Sequence, residues 1–362
     1  MENKNVNLEA EENEELVEAT AEVSHEQSLK LMSPMQMVIR RFFRSKLSIV
    51  GLIMVVSLFL FCWVGPLVYR VSPTEIDKDG KIEDTKKWIE PYTDENGVAH
   101  EGYWMVIETE LTDNMLSEPS AKHPLGTDKT GKDVLARLMN GGKISLTISF
   151  MAVFIVTFLG IIFGGLAGYF GGVIDNIIMR ICDILMSLPG IPIHLIVGVL
   201  LNGWISAGYE FISGETRIYF LMVFISLISW PGTARLVRGQ ILSLREQEYM
   251  VAAEAMGYST FRKIFKHLIP NVMPQLIVQM TLSLGGMIIY ESTLSYLGFG
   301  VKAPNTAWGT ILNLFEEANG FEIAMANPLI WVPAGLCIVI AVLGFNFVGD
   351  GLRDALDPKA RR

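Results

Sequence analysis

Six long apolar runs constrain this chain more than any other feature. Residues 47–69, 144–170, 174–201, 219–230, 276–297 and 329–347 are dominated by Leu, Ile, Val, Phe, Met, Ala and Gly. About 20 apolar residues in a helix cross the roughly 30 Å hydrocarbon core of a bilayer. The third run carries a few polar interruptions, and the fourth is a shorter core that can be extended on both sides. Backbone groups in lipid must pair internally, so these runs are expected to be helices, not open strands. The chain is 51% hydrophobic over 362 residues, with a mean hydropathy of +0.38, more apolar than an ordinary soluble domain. The expected fold is an all-α polytopic membrane protein with six transmembrane helices.

The net charge of −9 is unevenly spread. Residues 2–26 are Glu-rich and poorly hydrophobic, so 1–34 is expected to be a disordered cytoplasmic tail. Arg40, Arg41, Arg44 and Lys46 follow, just ahead of the first span in segment 35–70. By the positive-inside rule this cluster places the N-terminus in the cytoplasm. Arg235, Arg238, Arg245, Arg262, Lys263 and Lys266 flank spans four and five, and Arg353, Lys359, Arg361 and Arg362 follow span six. Six spans put all three groups on one side, so both termini are expected to be cytoplasmic. The start lacks the basic-then-apolar pattern of a cleaved signal, and the first span should act as an uncleaved anchor. Cys62, Cys182 and Cys337 all fall in apolar runs, without disulfide-framework or metal-ligand spacing.

A polar insert, 71–143, separates spans one and two and should face outside. Gly and Pro punctuate it, and Trp88, Ile89, Tyr103, Trp104, Val106 and Ile107 are candidates for a small core of a compact, β-containing element. Residues 144–350 form the expected five-helix core, with a cytoplasmic loop at 245–274, and 351–362 a cytoplasmic tail.

That loop carries the most informative segment, YMVAAEAMGYSTFRKIFKHLIPNVMP, residues 249–274. Ala252 and Ala253 are small enough for a partner to approach the backbone, and Glu254 follows them. Gly257 permits a positive φ, so the helix can turn sharply there. Phe261, Ile264, Phe265 and Leu268 recur at helical spacing and are expected to lay an apolar face on the membrane helices. Pro270 and Pro274 are expected to interrupt the helix ahead of the fifth span. Taken alone, the segment also fits an ordinary basic interfacial helix. Its Ala-Ala pair, Gly257 and Pro270 resemble the cytoplasmic "EAA" loop of ABC importer permeases, with Val251 where that family usually has Glu.

Other segments resemble the oligopeptide, dipeptide and nickel permeases of the same group. HPLGTDKTGKDVLARLMNGGKISLTI, residues 123–148, is similar to their LGTDxxGRDVxSRLxxGxRxSL signature, with Lys132 for Arg and Ala136 for Ser. The Gly126, Gly131 and Lys132 spacing mimics a phosphate-binding loop. Asp133 stands where Ser or Thr would hold magnesium, and no buried strand precedes it, which argues against an ATP site. Asp128, Lys132, Asp133 and Arg137 are expected to form a surface charge network at the outer mouth. ESTLSYLGFG at 291–300, Pro304 with Trp308 and Gly309, and the closing run from Asn346 to Pro358 also resemble family segments in the right order.

The resemblance implies the "C-type" permease subunit of a type I ABC importer for peptides, or for nickel or another small solute. It implies no catalysis and no cofactor in this chain, ATP and magnesium being bound by partner ATPase subunits. The implied partners are a homologous second permease, two ATPase subunits, an extracellular peptide-binding protein docking on the insert and on the loop around Pro304 to Trp308, and membrane lipid, with no nucleic acid. Localisation in a bacterial plasma membrane follows. The implied coupling residues are Ala252, Ala253, Glu254, Gly257, Phe261, Phe265 and Pro270.

Ionisable groups within spans are costly and invite a functional reading. Arg180 and Asp183 are three apart and are expected to pair on one helical face. Asp183 and Glu291 are candidates for a gate or a subunit interface. A proton relay through His194 and Glu291 would describe a secondary transporter, but the two are isolated in the sequence. A ligand sensor is weakened because no signalling module follows span six. Gly164, Gly165, Gly168, Gly171 and Gly172 offer small faces for close helix packing.

Overall fold

The computed structural model describes residues 33–78, 82–93, 99–111, 114–207, 217–302, 304–316 and 319–357; the acidic segment 1–32 and residues 358–362 lie outside these. Helix α1 (Pro34–Arg44) begins where Ser33 and Gln36 exchange side-chain and backbone hydrogen bonds, a reciprocal cap. Helix α2 (Lys46–Val68) is the first candidate span, with a π turn at Leu60–Val64. The insert then forms strands β1 (Ile82–Ile89), β2 (Tyr92–Thr93), β3 (Ala99–His100) and β4 (Tyr103–Leu111). β1 pairs antiparallel with β4 and β2 with β3, making one long hairpin. Its β character is as expected; of the residues expected to form a small core, Trp88 and Trp104 are 43% and 64% exposed and Ile89 is half-buried, while the side chains of Tyr103, Val106 and Ile107 lie outside those described.

Helix α3 (Val134–Phe170) starts ten residues before the apolar run, because Asp133 caps it and Val134 packs beneath the outer segments. The third apolar run is not one straight span. It forms α4 (Gly172–Ser187) and α5 (Gly190–Ser206), bent by 81°. Pro189 explains the break, since it holds Leu188 in an extended conformation (φ −80°, ψ 134°). Helix α6 (Arg217–Arg245) contains Pro231 and leads through α7 (Glu248–Ala255) to α8 (Thr260–Tyr296). Short α9 (Trp308–Leu312) and α10 (Gly320–Ala326) precede α11 (Val332–Leu356).

Among the described residues, four helices are long and apolar enough to cross a membrane, or five if the bent pair is one span. The protein is thus a mostly helical, multi-pass membrane chain.

Packing explains where the glycines sit. Helices α3 and α6 pack along each other most extensively among the described elements. A Cβ on Gly164 would lie 2.4 Å from the Ala234 carbonyl oxygen, and one on Gly168 2.9 Å from that of Arg238. These two glycines let the backbones meet, whereas Gly172 faces open space. The largest core joins α2, α3, α8, α9 and α11 through Leu58, Leu146, Val153, Ile288, Trp308 and Phe345. Cys62, Cys182 and Cys337 are buried and free.

Candidate coupling site

The loop joining α6 to α8 is built on a second core. Val237 and Ile241 of α6, Met250 of α7, and Leu268, Val272 and Leu276 of α8 pack together. Helix α7 is therefore held by one side only. Met250 and Ala253 are buried, while Val251, Ala252, Glu254, Ala255 and Met256 face outward. Its end is a Schellman turn: Gly257 N donates to the Glu254 carbonyl (2.9 Å) and Tyr258 N to that of Ala253 (3.1 Å). Gly257 occupies the left-handed region at φ +69°, as the sequence led one to expect. Ser259 then caps α8, its hydroxyl accepting from Arg262 N.

Two sequence readings fail here. Phe261 and Phe265 do not pack on the membrane helices: they are 70% and 54% exposed and contact each other, ring centroids 4.4 Å apart. Helical spacing places Ile264 and Leu268 on the same stripe, and only these face the core. Nor do Pro270 and Pro274 interrupt the helix. A π turn at Lys263–Leu268, closed by Ile269 N donating to the Ile264 carbonyl, shifts the register just before Pro270 and absorbs its missing N–H. Helix α8 runs unbroken from Thr260 to Tyr296.

A brace that no motif marks lies beneath this loop. Lys263 is buried, with Nζ 3.7 Å from Glu254 Oε1 and 5.6 Å from the Tyr169 ring centroid. Arg245 Nη1 donates to the Tyr169 carbonyl (3.0 Å). The end of α3 is thereby tied to both α6 and α8. On the other side, Tyr258 lies between the Arg262 guanidinium, 4.1 Å from its ring centroid, and the His267 ring, stacked at 5.8 Å. The contacts of Tyr169 with Arg245 and Lys263 join residues far apart in the chain, and spacing cannot reveal them.

The charged residues of α4 pair across to α6. Arg238 forms a two-pronged ion pair with Asp175 (Nε–Oδ1 2.5 Å, Nη2–Oδ2 2.6 Å). Asp183 meets Arg235, while Arg180 approaches it only to 4.0 Å. The expected Arg180–Asp183 pair is therefore the weaker contact, since both side chains are more than half exposed. Glu291 is buried near the C-terminal end of α8 and not beside the coupling loop. Ser295 Oγ donates to its Oε1 at 2.7 Å, with Ser292 and Ser145 also in reach. His194 contacts Tyr290 Oη and the Gly190 carbonyl, each at 2.7 Å, and makes no chain with Glu291.

At the other end, the two acids of the charge cluster are buried, while Lys132 and Arg137 are half-buried. Asp128 and Asp133 are each 2% exposed. Asp128 pairs with Arg137 and accepts from the backbone of Thr130 and Lys132. Trp308, expected on a docking loop, is wholly buried: its Nε1 donates to the Leu138 carbonyl and its backbone N to Ser145 Oγ.

The sequence of this chain has known relatives. Residues 160–362 match the family model of the binding-protein-dependent transport system inner membrane component. Residues 33–84 match the N-terminal TM domain of oligopeptide transport permease C. The chain belongs to this family of transport permeases. It is similar to the dipeptide transport system permease protein of Bacillus subtilis, 35% identical over 325 residues, covering 89% of this chain and 85% of that protein. The oligopeptide transport system permease protein of the same organism is 33% identical over 339 residues (92% and 93%). That of Haemophilus influenzae is 34% identical over 353 residues, 96% of both chains.

Proposed function

We propose that this chain is one of two homologous permease subunits of an ATP-driven importer of peptides. Six spans, with the bent α4–α5 pair counted once and α6 as the fourth, place both termini in the cytoplasm and the hairpin outside, in a bacterial plasma membrane. Two ATPase subunits bind ATP and magnesium; this chain holds neither and catalyses nothing. Peptide is preferred over nickel because the similar permeases are named for dipeptides and oligopeptides.

The observation that carries the reading is helix α7. It is a short helix with one buried side and a bare outer side at Val251, Ala252 and Met256, flanked by the exposed Phe261 and Phe265. An ATPase subunit takes up this knob in a cleft. ATP binding then moves α7, and the Lys263–Glu254 contact and the Tyr169 brace carry the motion into α3, α6 and α8. Both sites bias one two-state element, which is what coupling requires.

Cysteine cross-linking tests the assignment, since the three native cysteines are buried. In the assembled complex, Ala252→Cys, which is exposed, is expected to cross-link to an ATPase subunit; Ala253→Cys, 1% exposed, is not. Absence of the Ala252→Cys product in an assembled complex contradicts the docking of α7.

A further inference from the structure

We propose that a cavity between the cytoplasmic ends of α8 and α11 binds the C-terminal end of a short peptide, its carboxylate on Arg353 and its amide groups on Gln275 and Gln279. This rests on the peptide-importer reading above and adds to it a site where this chain itself holds the cargo.

Helix packing creates the cavity. α8 and α11 touch where a Cβ on Gly349 would lie 2.6 Å from Leu282 Cδ2. Beyond that contact the end of α11 is held by α1 instead. Arg41 Nη1 donates to the Asp357 carbonyl (3.3 Å), and a Cβ on Gly351 would lie 3.2 Å from the Phe42 ring. The space left between α8 and α11 measures about 560 Å³ and is lined by Asn271, Gln275, Gln279, Leu282, Arg353 and Leu356, among others. Small-molecule sites occupy roughly 300–1,000 Å³, so a short peptide fits.

The polar lining is unusual for an apolar helix. Asn271, Gln275 and Gln279 recur every four residues, an amide stripe about 12 Å long that runs from the loop into the span. Amides facing lipid are costly, and in membrane helices such groups turn to protein, water or a solute. Among the described residues, Gln275 makes no side-chain hydrogen bond and Arg353 pairs with no carboxylate, so both are open to a ligand. Pro274, Val278 and Leu282 supply an apolar wall beside them.

These groups select the ligand. A side-chain amide both donates and accepts, and so complements a peptide bond whatever the neighbouring side chains are. The planar Arg353 guanidinium matches a carboxylate with two parallel hydrogen bonds. Asp357 shares the rim, which penalises a polyanion such as phosphate more than the single carboxylate of a peptide. The site also lies directly behind the coupling loop: Asn271 Nδ2 donates to the His267 carbonyl (2.7 Å) and reaches Tyr249 Oη at 3.5 Å. Bound peptide therefore touches the element on which the ATPase acts.

The test is equilibrium binding of a tripeptide, fluorescently labelled at its N-terminus, and of its C-terminal amide to the complete transporter in nanodiscs, without nucleotide or solute-binding subunit. The wild type is expected to bind the acid about tenfold more tightly than the amide. Arg353→Gln is expected to abolish that preference and leave amide binding unchanged, which a merely structural disturbance does not do. Gln275→Leu with Gln279→Leu is expected to weaken both ligands. Equal loss of both ligands in Arg353→Gln, or an undiminished preference for the acid, overturns the assignment. Failure of the wild type to bind either ligand overturns the site alone if the same complex in proteoliposomes takes up peptide with its solute-binding subunit, and the importer reading as well if it does not. The native cysteines are buried, so Gln275→Cys is expected to react with a water-soluble maleimide and to be protected by the tripeptide. A cross-link from that position to another subunit shows that a subunit fills the cavity, and overturns the proposal.

Discussion

Substitutions at Gly257 separate the turn from the docking surface, because the two fail for different reasons. Gly257 sits at φ +69°, and nothing lies within 4 Å of where a Cβ would stand. A small side chain therefore meets no clash, and its whole cost is backbone cost. That cost is about 1–2 kcal/mol for an ordinary L-residue in the left-handed region, and less for Asn or Asp, which visit it more readily. At about 1.4 kcal/mol per factor of ten, Ala opens the turn roughly tenfold and β-branched Val further. Asn and Asp have nearly the same shape, so only charge distinguishes them. If Gly257 lies on the surface that enters the ATPase, Gly257→Asp uncouples uptake from ATP hydrolysis while Gly257→Asn retains most of it. The assay is peptide uptake and ATP turnover in proteoliposomes, with assembly verified by size-exclusion. Equal uptake by the Asn and Asp variants refutes the docking surface, and full uptake by Gly257→Val refutes the argument from the turn.

Other perturbations probe the scaffold. Gly164→Ala drives a Cβ to 2.4 Å from the Ala234 carbonyl oxygen, so the α3–α6 pair must part; a loss of about 1–3 kcal/mol in thermal or denaturant unfolding is expected, and wild-type stability contradicts the close approach. Asp175→Ala strands Arg238, while Asp175→Arg with Arg238→Asp restores the pair; a double-mutant coupling of about 0.5–3 kcal/mol is expected, and zero coupling denies the ion pair a role. Burial and the neighbouring Asp133 carboxylate push the Tyr69 hydroxyl well above its ordinary pKa. The neutral form is favoured in the fold, so its contribution is complete below about pH 10 and falls as pH rises beyond that. Tyr69→Phe should therefore be less stable than wild type at pH 8, with the gap closing in melts above pH 10; a gap independent of pH argues against the Asp133 contact.

What the sequence disclosed follows the strength of the physical constraint. Lipid forces backbone pairing, so apolar runs located the helices; a steric rule forces Gly at positive φ, so Gly257 could be read directly. Facing is weaker information. Phe261 and Phe265 share a helical stripe with Ile264 and Leu268, and periodicity alone cannot say that the phenyl groups look outward. Pro270 was expected to break a helix because the compensating π turn at Lys263–Leu268 has no simple residue signature. The break at Pro189 lies in a run that carries polar interruptions, but hydropathy alone gives no angle for it. Contacts such as Lys263 over Tyr169, or Trp308 against Leu138, depend on the fold as a whole. Trp308 shows the consequence: a residue marked out for a partner is a core residue.

The central claim, that this chain is the permease of a peptide importer, is tested most directly by uptake in cells lacking only this gene. Labelled dipeptides, labelled longer peptides and labelled nickel should be measured side by side, with and without the intact chain restored. The account predicts that peptide uptake alone is lost, that the wild-type chain restores it, and that the Gly257→Asp chain does not. Unchanged peptide uptake with lost nickel uptake would contradict the substrate class, and unchanged uptake of all three would contradict the peptide-importer account itself.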